Sequence, residues 1–86
     1  MGKLVQIGNI IISVYANDHL PPHFHIITPD ADALVDIGSL EILRGKLSRR
    51  AEAEALEWAK ANGSLIVEEW NRTNPRFPIT EKGSKS

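Results

Sequence analysis

A chain of 86 residues makes one domain. At that length folding buries only ~60–65% of the unfolded surface, which excludes a large enclosed active site. The absence of cysteine excludes a disulfide scaffold, a thiol nucleophile and a thiolate zinc site, and a formal charge of −1 excludes whole-molecule attraction to nucleic acid or anionic membrane.

Hydrophobic residues at 42% and charged residues at 24% are ordinary for a globular protein, and a cytoplasmic setting is the default expectation. No apolar run reaches the ~18–20 residues of a membrane span. The stretch from Leu4 to Ala16 is interrupted by Gln6, Gly8, Asn9 and Ser13, and Val14 stands where a signal peptidase needs a small residue. Met1-Gly2 opens like a myristoylation motif, but position 6 is glutamine.

In chain order, the first half reads as strands. Residues 4–7 and 10–16 are β-branched runs separated by Gly8-Asn9, a two-residue linker of hairpin type. In the second run Ile10, Ile12 and Val14 share one face. A polar loop and the diproline Pro21-Pro22 lead to a third strand over 23–28. A turn at Pro29-Asp30-Ala31-Asp32 precedes a fourth over 33–37, with Ala33, Val35 and Ile37 inward. From 38 to 47 the reading is open between a short strand and a loop, with Leu40, Ile42 and Leu43 expected to be buried.

The second half reads as helices. Ser48 is an N-cap, and Ala51, Ala55, Trp58, Ala59 and Asn62 line one side of a helix over 49–61. Asn62-Gly63 stops it, and Ser64 caps a shorter helix over 65–72 whose apolar face is Ile66, Val67 and Trp70; Leu65-Ile66-Val67 reads equally well as a strand. Trp58 and Trp70 are assigned to the core. The expected fold is α+β: an antiparallel meander of three to four strands followed by two C-terminal helices packed on one face. Residues 1–73 form the domain. Residues 74–86, rich in proline and polar groups, are expected to be a flexible tail.

All three histidines fall between positions 19 and 25, in Asp18-His19-Leu20-Pro21-Pro22-His23-Phe24-His25. Imidazole titrates near neutral pH and is the commonest metal ligand, and the diproline stiffens the approach to the strand. His23 and His25, two apart, project from the same strand face and can serve one metal ion, with Asp18 and His19 brought back across the diproline. Imidazole plus carboxylate suits a divalent metal such as zinc or manganese. The same four residues, Asp18, His19, His23 and His25, are equally candidates for metal-free acid–base chemistry. The plain alternative is that Asp18 caps a turn and the rings are hydrogen-bonded packing residues.

A second feature is the basic segment Arg44-Gly45-Lys46-Leu47-Ser48-Arg49-Arg50. Cations at a helix N-terminus oppose its dipole, so Arg44, Lys46, Arg49 and Arg50 point to an anionic neighbour: Glu52 or Glu54 internally, or an external phosphate or acidic surface. A solvated charged face is the plain alternative. No aromatic interleaving of the single-strand-binding kind and no glycine-rich phosphate loop is present. Glu52, Glu54 and Glu57 are spread too evenly around the helix to form a carboxylate pair. No serine, threonine or lysine sits in a nucleophile motif.

These residues together resemble a small bacterial family, domain of unknown function 4160. The resemblance rests on Gly8 to Tyr15, Asp18-His19-x-Pro21-Pro22-His23-Phe24-His25, Gly45-Lys46-Leu47-x-Arg49-Arg50, Glu57-Trp58 and Trp70, and it spans about residues 8–72. Ser48 departs from it, since such sequences often carry proline there. The resemblance implies a gene beside a second small gene, similar to a toxin–antitoxin pair, and assigns no catalytic residue. Two readings follow. One is an interaction module binding a small cognate protein, RNA or a nucleotide, with no membrane partner. The other is a metal-dependent or histidine-based hydrolase of a phosphodiester, in which the basic segment holds phosphate and Asp18, His23 and His25 do the chemistry.

Overall fold

The computed structural model describes residues 3–16, 18 and 20–79. Among them are five strands, β1 (Lys3–Ile7), β2 (Ile10–Ser13), β3 (His23–Ile27), β4 (Asp32–Asp36) and β5 (Ile42–Gly45), then helices α1 (Arg49–Ala61) and α2 (Gly63–Thr73). The strands form one antiparallel sheet in the order β1-β2-β3-β4-β5. The α+β meander with two C-terminal helices is as expected, with one strand more. No helix among the described residues is long and apolar enough to cross a membrane.

Local chemistry explains most boundaries. Gly8 has φ 59° and opens the β1–β2 turn, where a side chain would strain the backbone and where Ile7 pairs Ile10 across the hairpin. Ser48 caps α1 by accepting the Ala51 N–H at 3.1 Å. The Asn62 side chain donates to the Trp58 carbonyl at 2.9 Å and closes the last turn of α1. Chain 63–73 is helix rather than strand, because Ile66 and Trp70, four apart, reach the core from one helix face. Ser64 lies inside α2 instead of capping it, and Asn62 precedes the helix without a side-chain cap.

Alternation sets the two faces of the sheet. Ile10, Ile12 and Val14, Phe24 and Ile26, and Ala33 and Val35 are buried with Ala55, Ala59, Ile66 and Trp70 in one cluster. Each large side chain withdrawn from water there contributes ~1.5–3 kcal/mol before the entropy of ordering is counted. Trp58 is half-buried against this cluster, and Trp70 is completely enclosed.

Three expectations are corrected. The open stretch 38–47 contributes β5, an edge strand with a bulge opposite Leu34–Val35; Ile42 and Leu40 pack on the core, but Leu43 sits at the bulge and is 44% exposed. The second strand ends at Ser13, although Val14 beyond it is fully buried. The tail does not begin at Asn74. Asn74 is buried, Trp70 Nε1–H donates to the Phe77 carbonyl at 2.8 Å, and Asn71 exchanges two hydrogen bonds with Ile79. Residues 74–79 are therefore bound to the domain by polar groups that composition alone does not count. Residues 80–86 lie outside the described residues.

Candidate functional site

β3 supplies two of the site's side chains by its period of two. Phe24 and Ile26 face the core, so His23 and His25 project to the other side of the strand. Asp18 comes from the loop that follows β2. Its Oδ2 lies 3.0 Å from His23 Nε2 and 3.4 Å from His25 Nε2. One donor atom from each of the three residues falls within 4.8 Å of the others.

Neighbours fix each ring. His23 Nδ1–H donates to the Pro21 carbonyl at 2.7 Å; a carbonyl only accepts, so the proton of the neutral ring is on Nδ1 and Nε2 carries the lone pair. The diproline thus acts through its carbonyl as well as its stiffness. The Trp70 ring lies 5.8 Å from His23, and Tyr15 meets His25 edge-on at 4.4 Å between ring centroids. The His23 side chain is 3% exposed, Asp18 15% and His25 21%, so the cluster is sheltered but reachable from one side. Burial, only partly offset by the hydrogen bond to Asp18, holds the His25 imidazole below its ordinary pKa of 6.5, and the neighbouring His23 pushes the same way.

The Asp18 loop is tied down from the far end of the chain. Asn74 Oδ1 accepts the Asp18 backbone N–H at 2.7 Å, and Asn74 Nδ2 donates to the Tyr15 carbonyl at 3.0 Å. Beside this anchor a cavity of ~70 Å³ is lined by Asp18, Asn74, Arg76 and Phe77. A partly buried three-residue cluster of two imidazoles and a carboxylate can hold a proton in common or ligate a divalent metal.

The structure brings Asp18, His23 and His25 together; His19 lies outside the described residues. Among the described residues no ion pair or hydrogen bond links the basic segment to them, although Arg44 pairs with Leu34 and Leu34 with His25 in one row across the sheet. Arg44, Lys46, Arg49 and Arg50 are all exposed, and Arg50 lines a groove with Gly8, Asn9, Ile10 and Glu54 at the β1–β2 turn. That turn closes the end of β2 away from Ser13, the residue paired with His25. Glu54 is the anionic neighbour expected for Arg50, at 3.5 Å.

A family model, Domain of unknown function (DUF4160), matches residues 9–71. The chain belongs to this family. Within the DUF4160 match lie Asp18, His23, His25 and all four cations of the basic segment; Asn74 and Arg76 lie beyond it. No curated protein and no solved structure matches the chain.

Sequence reasoning missed Asn74, Tyr15, Trp70 and Arg76 as parts of this neighbourhood. Trp70 is in the core, as its sequence context indicates, and its ring also walls His23. The composition around Asn74 is that of a tail, but Asn74 is buried and anchors Asp18. Ile79, packed against the core, is the one apolar signal that this segment docks; Phe77 contributes its carbonyl while its ring is exposed.

Proposed function

We propose that this protein is a non-enzymatic interaction module whose segment from Arg44 to Arg50 engages an acidic surface on a small partner protein. One observation carries the reading. Arg44, Lys46 and Arg49 are exposed and make no ion pair among the described residues, while Arg50 has only the long, solvent-exposed contact with Glu54. Four cations at an edge strand and a helix N-terminus gain little from the fold, since the helix dipole opposes them and exposed pairs contribute ~0–1 kcal/mol. An external anionic surface gives them a counter-charge. The overall charge of −1 and the lack of interleaved aromatics favour a protein over a nucleic acid. A toxin–antitoxin-like gene pair would supply such a partner from the neighbouring gene.

The test is co-expression with the product of the adjacent gene and co-purification at low and high salt. Wild type retains the partner at low salt, and Arg49→Ala/Arg50→Ala loses it. Equal retention by the double variant removes the basic segment from the account. Displacement of the partner by a short single-stranded RNA moves the reading to nucleic acid.

A second reading, a hydrolase of phosphodiesters, has a specific observation in its favour: Asp18, His23 and His25 converge, with Arg76 at the adjoining cavity. In this form Arg76 replaces Arg49 and Arg50 as the phosphate-facing cation. Metal-dependent cleavage of an RNA oligonucleotide, lost in Arg76→Ala and retained in Arg49→Ala/Arg50→Ala, is its signature.

A further inference from the structure

We propose that Asp18 Oδ2, His23 Nε2 and His25 Nε2 form a binding site for one divalent transition-metal ion of the zinc class. The inference goes beyond the interaction-module reading and uses none of the basic segment.

Distances are the first argument. Metal–nitrogen and metal–carboxylate bonds of about 2.0–2.1 Å in a tetrahedral shell place neighbouring ligand atoms about 3.3–3.4 Å apart. Asp18 Oδ2 already stands 3.0 and 3.4 Å from the two imidazole nitrogens, and no pair in the trio exceeds 4.8 Å. Small side-chain movements would complete the shell.

Lone-pair chemistry is the second. The Pro21 carbonyl holds the His23 proton on Nδ1, which leaves the Nε2 lone pair directed into the cluster. A carboxylate oxygen 3.0 Å away is also electron-rich. A cation between the two atoms, a metal ion or the proton of a charged His23 shared with Asp18, holds them at that distance. Fixing a histidine tautomer through a backbone carbonyl is also how metal-ligating imidazoles are usually oriented.

The rest of the neighbourhood keeps the donors in place. β3 sets the two rings on one strand face, Tyr15 and Trp70 pack against them, and Asn74 anchors the backbone of Asp18. Two nitrogens and one oxygen exclude the all-oxygen cage of calcium or magnesium and match the borderline ions. Three protein ligands leave at least one coordination position for a small exogenous group; of the three, only Asp18 also lines the cavity with Arg76. The competing occupant is a proton shared between the rings and Asp18.

Isothermal titration of the metal-free full chain with Zn²⁺ tests the site. Wild type should bind one ion per chain. His25→Ala and Asp18→Asn should each weaken binding at least ~100-fold, the upper end of what loss of an outer-shell partner alone costs. Arg49→Ala/Arg50→Ala should bind as wild type, so failure of the partner-binding reading leaves this result untouched. His25→Ala is the first choice because His25 is the more exposed ring; circular dichroism verifies that both variants are folded. Should either unfold, long-range ¹H–¹⁵N spectra of wild type replace it, with the Nε2 resonances of His23 and His25 both shifting on addition of Zn²⁺. Absence of saturable binding, unweakened binding in a folded variant, or Nε2 resonances that ignore Zn²⁺ would overturn the proposal and leave a proton-held ion-pair cluster.

Discussion

Asn74 holds Asp18 across 56 positions of sequence, its Oδ1 accepting the Asp18 backbone N–H at 2.7 Å while its Nδ2 donates to the Tyr15 carbonyl at 3.0 Å. One buried amide thus satisfies a donor and an acceptor of the loop that carries the site's carboxylate. Asn74→Ala deletes both bonds and leaves the loop groups to find water. Thermal or urea unfolding should show a loss of about 1–3 kcal/mol. Asn74→Asp keeps the acceptor but buries a carboxylate oxygen against the Tyr15 carbonyl, so it should cost at least as much as alanine.

Truncation after Thr73 removes more. It takes away Asn74, the Phe77 carbonyl that receives the Trp70 indole N–H, and the Ile79 backbone paired with Asn71. A stability loss above about 2 kcal/mol is expected in denaturant titration, because a buried indole donor is left without its acceptor. A truncated chain as stable as the full chain would show that 74–79 contributes nothing.

Gly45 is where the edge strand β5 comes closest to its neighbour. Its φ is +89°, and a Cβ there would overlap the Asp32 carbonyl oxygen and crowd the Ala33 Cα. Gly45→Ala should therefore destabilise by about 2–4 kcal/mol, from positive-φ strain plus a clash with backbone that cannot move aside. Gly8→Ala, with positive φ but open space around it, should cost less.

The lowered pKa of His25 gives a pH signature in metal-free, chelator-treated protein. Below 6.5 the unfolded chain binds a proton at this ring while the folded chain resists it, so the unfolded state holds more protons and stability rises with pH. The contribution is fully present above 6.5 and is lost as pH falls through the folded value. Unfolding midpoints measured across pH 5 to 7.5 (~half-unit steps, spanning the histidine range) should fall on the acid side. His25→Asn should flatten that fall.

The strands were legible where hydrophobic alternation is long. Ile10, Ile12, Val14, Ala55 and Ala59 are buried as their spacing requires, with Ala51 half-buried beside them. β5 was not legible: it is a short, bulged edge strand with three exposed residues of four, so the period-two signal is lost. His23 and His25 were readable from their spacing, and Asp18 from its place before the diproline. What the sequence conceals is everything that reaches the site from elsewhere: Trp70 and Asn74 arrive from α2 and the segment after it, through contacts that no local pattern encodes.

The most direct measurement of whether the histidine block is a built site is anomalous diffraction at the zinc edge from crystals grown with one equivalent of Zn²⁺. The account predicts one peak within about 2.0–2.2 Å of His23 Nε2, His25 Nε2 and Asp18 Oδ2, with the Pro21 carbonyl still bonded to His23 Nδ1. A map with no peak at these three atoms, or with zinc held only at other side chains, would contradict it.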